Sequence, residues 1–203
     1  MTHYSISNNA SRDAAPSFAP FMDLLARWNR TINLIASADL PSAAERHIQD
    51  ALQLRPLMPP DARRGIDLGS GAGFPGLILA AATGVPFDLI EADQRKAAFL
   101  REAARLLHAP VVIHPVRIEA ARLTPASLVT ARALAPLPRL LDLATPLLAP
   151  GGTLLAPKGA SASMELTAAR ERWHMTVEQV PSRTGVGAVI LRITEIARVP
   201  AQR

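Results

Sequence analysis

Gly65-Ile66-Asp67-Leu68-Gly69-Ser70-Gly71-Ala72-Gly73-Phe74-Pro75-Gly76 is the stretch on which the fold is decided. A short apolar strand runs into a tight glycine turn and out into a helix. Glycine lets a backbone turn sharply and approach a ligand closely, because no Cβ blocks the contact. Pro75 suits the first turn of the following helix, where its missing N–H costs nothing. The pattern is that of a loop holding a nucleotide cofactor.

Two cofactors compete for it. Gly71-Ala72-Gly73-Phe74-Pro75-Gly76 satisfies G-x-G-x-x-G, the dinucleotide fingerprint. The strand ends by Leu68, however, so the turn is made by Gly69 and the motif in register is Asp67-x-Gly69-x-Gly71-x-Gly73. An acidic residue at the strand end followed by G-x-G-x-G is the arrangement of methyltransferases, which hold the zwitterionic methionine end of S-adenosyl-L-methionine with acidic and backbone groups. A dinucleotide loop instead needs its helix N-terminus free for pyrophosphate. Glu91 ends the next strand, 18 residues beyond Gly73, where a carboxylate accepts hydrogen bonds from both ribose hydroxyls of an adenosyl group. The adjacent Asp93 reads as a charge at a helix N-terminus.

Working outward, strands are expected at Arg64–Leu68, Phe87–Glu91, Val111–His114, Leu128–Ala131, Gly152–Ala156, Met175–Val180 and Ala188–Ile193. Helices are expected at Pro75–Ala82, Gln94–Leu107 and Pro138–Leu148. Alternation of strand and helix implies right-handed crossovers and a mainly parallel sheet. The short turn between the last two strands allows an antiparallel hairpin. Upstream, Phe18, Phe21, Met22, Leu25 and Trp28 recur at helical spacing, and a second helix from Pro41 and Ser42 carries Ile48, Leu52 and Leu54 before Pro56, Pro59 and Pro60. The expected fold is α/β: a Rossmann-like class I methyltransferase with a seven-stranded, mainly parallel sheet. A flexible tail over 1–15 and an N-terminal helical cap over 16–60 precede that domain at 61–203.

Composition bounds the rest. With 203 residues, 49% hydrophobic and 19% charged, one domain with a substantial core is expected. No apolar run reaches the roughly 20 residues that span a bilayer, no signal peptide is evident, and cysteine is absent; a soluble cytoplasmic protein is expected. The net charge is +5, carried almost wholly by arginine, which suits a polyanionic partner. With two Trp, one Tyr and five Phe, stacking platforms are few, so docking on RNA falls to charge. Arg12, Arg27, Arg30, Arg63, Arg64, Arg170, Arg172 and Arg183 are candidate phosphate contacts, and each also suits a plain solvated face.

The chain also resembles a known family, the bacterial 16S rRNA guanine-N7 methyltransferases, also called glucose-inhibited division protein B. The resemblance runs through Trp28-Asn29-Arg30 with Asn33-Leu34, Arg46-His47-Ile48-Gln49-Asp50 and the loop with Phe74-Pro75-Gly76. It continues through Ile118-Glu119, Thr130-Ala131-Arg132-Ala133 and Pro157-Lys158-Gly159. It implies methylation of N7 of a guanine in 16S rRNA, guanine 527 by the resemblance, with 16S rRNA or the small ribosomal subunit as partner. No ligand cluster accompanies His47 and Asp50 and nothing in the sequence demands a dimer, so a metal-free monomer is expected. The resemblance also implies that Gly69 and Phe74 contact the cofactor, that Ile118 and Glu119 sit at its adenine end, and that Arg132 lies beside it near the target base. Two departures stand out: Pro157 precedes the Lys-Gly pair, where the family has a small or aliphatic residue, and Gly185-Val186-Gly187-Ala188 replaces a basic pair in the final hairpin.

Guanine N7 carries an in-plane lone pair and no proton, so its attack on a sulfonium methyl needs no general base. Rate enhancement then rests on alignment. A donor on N7 blocks the reacting lone pair, so Arg132 and Lys158, the candidate catalytic residues, are expected to address O6 or a neighbouring phosphate. Arg46, His47 and Asp50 share one helical face, where they either pin the cap or shape the RNA entrance. Two other function classes remain open on residues alone: a nicotinamide-dinucleotide oxidoreductase, and a non-catalytic RNA-binding module on the same fold.

Overall fold

Strands that are apolar on both faces need cover on both sides, and that requirement organises the molecule. The computed structural model describes residues 17–36 and 40–200; the expected tail, with Arg12, lies outside the described residues. Two helices, α1 (Ala19–Asn29) and α2 (Leu40–Leu52), lead into β1 (Gly65–Leu68), α3 (Gly76–Thr83), β2 (Phe87–Ile90), α4 (Gln94–Leu106) and β3 (Val111–His114). The chain continues through β4 (Ala126–Ala131), α5 (Leu137–Ala144), β5 (Leu148–Lys158), α6 (Ala162–Arg170), β6 (Trp173–Pro181) and β7 (Val189–Arg198). The sheet order is β3-β2-β1-β4-β5-β7-β6, parallel up to β5, with β7 antiparallel to both its neighbours. This is the expected seven-stranded, mainly parallel sheet with a terminal hairpin. No helix among the described residues is long and apolar enough to cross a membrane.

Several elements differ from expectation in their bounds, and three of the differences have a local reason. α5 ends at Ala144 and tightens into one 3₁₀ turn over Thr145–Leu147, because Pro146 lacks the N–H that a continuing helix needs. β5 is longer than Gly152–Ala156 because its flanks join the ladder. α6 escaped the sequence reading because its buried face consists only of Ala162, Leu166 and Ala169, too weak a stripe to register. Arg64, read as a phosphate contact, is a structural cation: its guanidinium bonds Asp88 at 2.5 Å and the Thr124 carbonyl, while His114 bonds the other Asp88 oxygen at 2.6 Å.

The two N-terminal helices share one core with the sheet. Phe21, Leu24 and Leu25 of α1 and Ala44, Ile48 and Ala51 of α2 pack with Phe74, Leu77 and Phe99 on one face. Phe21 meets Phe74 edge-on at 5.7 Å, and Trp28 meets Phe99 at 5.9 Å while its indole N–H donates to Glu102 of α4 at 2.9 Å. Asn29 explains its place in the Trp-Asn-Arg stretch. Its side-chain oxygen accepts from Leu34 and Ile35 N–H at 2.8 and 3.0 Å and its amide donates to the Ile35 carbonyl, closing the turn after α1. On the opposite face α5 and α6 cover Ile66, Leu68, Val129 and Leu154 with Leu137, Leu140, Leu141 and Leu166.

Asp67 ties the centre of the sheet together. It is 1% exposed, stands in register with Thr130 across β1 and β4, and accepts that hydroxyl at 2.6 Å on Oδ1. Its Oδ2 has no hydrogen-bond partner among the described residues. Burial pushes the carboxyl pKa up to about 6, against the pull of Thr130, Ser70, the Gly76 amide and Arg132.

Two stability measurements follow. Phe21→Ala is expected to cost about 3–5 kcal/mol in chemical denaturation and to keep a single transition; a separate early transition for the N-terminal helices contradicts the shared core. The raised pKa of Asp67 means the folded state binds its proton more tightly than the unfolded chain. That contribution is fully present below the ordinary pKa of 3.8 and is lost as pH rises through about 6, on the order of 3 kcal/mol. Asp67→Asn removes this decline, so unfolding free energies of wild type and variant should diverge across that window; parallel curves contradict the assignment.

Candidate functional site

Strand order reverses between β1 and β4, so the loops leaving their carboxyl ends diverge and open a crevice. The glycine loop leaves β1 on one side of it and Arg132 leaves β4 on the other. A cleft of about 440 Å³ sits there, lined among others by Gly69, Gly71, Glu91, Ile118, Glu119 and Arg132. A larger depression of about 670 Å³ beside α4 and β3 contains none of these residues.

Three glycines of the loop, Gly69, Gly71 and Gly73, hold positive φ. Gly69 has φ 64°, and a Cβ there stands 2.7 Å from Leu134. Gly71 has φ 53°, and its added Cβ meets nothing closer than the Gly69 carbonyl at 3.8 Å, so it projects toward open space at the cleft wall. Glu91, 9% exposed, holds the loop from the next strand: Oε2 accepts from Gly71 N–H and Oε1 from Asp93 N–H, both at 2.8 Å. Each carboxylate oxygen retains a lone pair for a further donor. Asp93 caps α4 by accepting from Arg95 and Lys96 N–H at 2.8 and 3.2 Å, as a charge at a helix N-terminus should. Those bonds hold its pKa below the usual value.

Arg132 is the most constrained cation of the site. It donates from Nη1 to His47 Nδ1 at 2.6 Å, lies 3.9 Å from Asp50 Oδ2 and places its guanidinium 5.1 Å from the centre of the Phe74 ring. A guanidinium does not give up its protons, so His47 Nδ1 is the acceptor and the ring proton sits on Nε2. Burial lowers the Arg132 pKa from its ordinary value, while the charges of Asp50 and Asp67 raise it. The next residue, Ala133, has φ 49°, a left-handed turn that costs an L residue about 1–2 kcal/mol and swings the chain away directly after the arginine.

Behind Arg132 lies a second cavity of about 390 Å³, walled by Asp50, Arg132, Pro157, Lys158, Thr184 and Val189, among others. Arg132, Ala133 and Ala135 border both spaces. Lys158, at the end of β5, donates to the Ala135 carbonyl and to Glu165 Oε2, each at 2.7 Å. Glu165 also accepts from the Leu137 N–H and the Ser161 hydroxyl. Burial alone raises its pKa, but these bonds outweigh it and the carboxyl sits below its ordinary value. Across the cavity, α2 grips the β6–β7 loop: Asp50 accepts from the Thr184 hydroxyl, and Gln53 bonds Ser182 Oγ at 3.1 Å and the Arg183 N–H at 3.0 Å.

Gly69, Gly71, Glu91, Ile118, Glu119 and Arg132 therefore gather around one cleft, and Lys158 lines its neighbour. Asp67 lies beneath the loop, while Gly73 and Phe74 are buried, Phe74 facing α1, His47 and Arg132. Lys96, Arg139 and Leu143 also line the cleft, and no motif marks them. The dinucleotide alternative meets a specific obstacle. A Cβ on Gly76, which opens α3, stands 2.5 Å from the Asp67 Cβ, so a buried carboxyl occupies the helix end that pyrophosphate needs.

Comparison with known proteins agrees with this fold. Solved structures share the fold: the N-methyltransferase NodS from Bradyrhizobium japonicum with S-adenosyl-L-homocysteine (TM-score 0.58, 17% identity, 84% of this chain and 97% of that one). The O-methyltransferase TomG from Streptomyces achromogenes with SAM matches at TM-score 0.56, 17% identity, over 88% and 91%. Ribosomal RNA small subunit methyltransferase G of Granulibacter bethesdensis is 51% identical, covering 95% of this chain and 90% of its own. Its namesake in Gluconobacter oxydans is 50% identical, over 93% and 97%. A family described as GidB, rRNA small subunit methyltransferase G, matches residues 15–191. The chain belongs to the rRNA small subunit methyltransferase G family.

Proposed function

We propose that this protein transfers the methyl group of S-adenosyl-L-methionine to N7 of a guanine in 16S rRNA, guanine 527 by the resemblance. The observation that carries the reading is the pair of cavities meeting at Arg132, one lined by the glycine loop and Glu91 and the other by Asp50 and Lys158. A methyl donor and a base have to meet edge to edge, and a shared wall allows that.

The residues present fit the donor. Glu91 keeps lone pairs for two ribose hydroxyls, Ile118 and Leu143 offer apolar surface to an adenine, and the missing Cβ of Gly71 leaves room at the methionine end. Asp67 acts through its field under the loop rather than by contact. Bound there, the donor supplies an electrophilic methyl on a sulfonium. The protein's part is to align it with N7 and to exclude water, which needs no proton acceptor.

Arg132 uses one of its five N–H groups on His47 and has others for O6 of the base. Lys158 already gives two of its three protons to Ala135 and Glu165, so its role is to hold the rim of the base cavity, with one proton left for a phosphate or O6. Arg27, Arg30, Arg63, Arg170 and Arg183 are exposed and supply the positive field that RNA docking needs, whereas Arg172 is turned toward Asp142 at 3.6 Å.

The test is chemical mapping of 7-methylguanosine in 16S rRNA from cells with and without this protein. One cleavage signal, at the guanine named above, is expected to vanish in its absence and to return with the wild-type chain. Unchanged signals throughout overturn the reading.

A further inference from the structure

We infer that Asp50 is a specificity-determining residue, which reads the N1–H of the target guanine from the cavity behind Arg132. This rests on the guanine-N7 reading above and adds the means by which the base is selected.

Three observations carry it. First, Asp50 lines the second cavity together with Arg132, and its two oxygens are used unequally. Oδ1 takes the Thr184 hydroxyl and the Gln53 amide at 3.3 Å. Oδ2 makes no hydrogen bond among the described residues; its nearest cationic or imidazole neighbours, His47 Nδ1 and Arg132 Nη1, stand at 3.8 and 3.9 Å. A half-buried carboxylate with one oxygen committed and one spare is an acceptor waiting for a donor.

Second, the alternative carboxylate in the cavity has no unbonded oxygen. Glu165 Oε2 already receives Lys158 and the Leu137 N–H, and Oε1 receives Ser161. Third, the spare acceptor sits beside a donor in the order a guanine edge demands. Guanine presents O6, an acceptor, next to N1–H, a donor; Arg132 and Asp50 Oδ2 offer donor and acceptor side by side, 3.9 Å apart. N7 lies on the far side of O6 from N1, so a base read this way leaves its lone pair free. Adenine presents an amino donor and a bare N1 at the same two atoms, so both contacts become repulsive. Asp50 stays ionised to do this: burial raises its pKa, but the Thr184 hydroxyl and the charge of Arg132 beside it pull the other way, and the net value is below the ordinary one.

The bland account of Asp50 is a clamp holding the β6–β7 loop to α2, and the experiment separates the two. Single-turnover methyl transfer is measured on small-subunit RNA carrying guanine or adenine at the target position, with wild type, Asp50→Asn and Gln53→Ala. Asp50→Asn preserves shape but replaces an acceptor with a donor option. It is expected to slow guanine methylation roughly tenfold or more, to leave adenine no slower, and to keep donor affinity at the wild-type value. Gln53→Ala, which cuts the other tie to the loop, is expected to hold the guanine rate within about twofold. A guanine rate unchanged in Asp50→Asn, an equal loss in Gln53→Ala, or guanine and adenine rates falling in step each overturns the inference. Absence of transfer to guanine N7 by the wild type is a different result and fails the underlying reading instead.

Discussion

A guanidinium taken most of the way out of water must be given acceptors, and at Arg132 those acceptors come from a helix 80 residues earlier in the chain. That requirement shapes the surroundings. It brings His47 and Asp50 of α2 to the carboxyl end of β4, sets Phe74 under the cation, and so locks the first two helices to the glycine loop. The N-terminal helices are accordingly part of the site as well as part of the core. Removing one partner of such a buried arrangement leaves a charge uncompensated, so His47 and Asp50, one turn apart on α2, both bear on the state of Arg132.

Around this cation the site divides its labour between two carboxylates. Glu91 faces the donor side and spends its charge on the backbone of the loop, fixing Gly71 and the start of α4 before any ligand arrives. Asp50 faces the other side and fixes the hairpin loop through Thr184. Both are preorganised by bonds to the protein itself, which lowers the reorganisation needed when reactants bind. Because the proposed reaction needs no proton acceptor at N7, the site can commit its polar groups to alignment and recognition.

The sheet was legible because its signals are strong: Gly65–Leu68 and Phe87–Ile90 are fully buried strands bounded by glycine and proline, and the loop between β1 and α3 turns on glycines at positive φ. Glu91 was legible from its distance to the loop. α6 was not, because alanines make its buried stripe, and neither was the pairing of Glu165 with Lys158, which joins two elements through a long-range contact that no spacing records. Asp67 and Phe74 were expected among the cofactor-binding residues, Phe74 by the resemblance, yet the structure buries both, one beneath the loop and one against the cap. Sequence position showed that they matter to the loop but not on which side of the backbone their side chains fall. His47 and Asp50 were seen to share a face; that the face meets Arg132 required the fold.

The central claim, that Arg132 aligns the base with the methyl group from the wall common to both cavities, is tested most directly by single-turnover transfer at saturating donor with Arg132→Lys. Lysine keeps the charge but loses the planar fork and its reach to His47. Donor affinity is predicted to stay within about threefold while the transfer rate falls roughly a hundredfold or more. A variant that transfers at the wild-type rate contradicts the account.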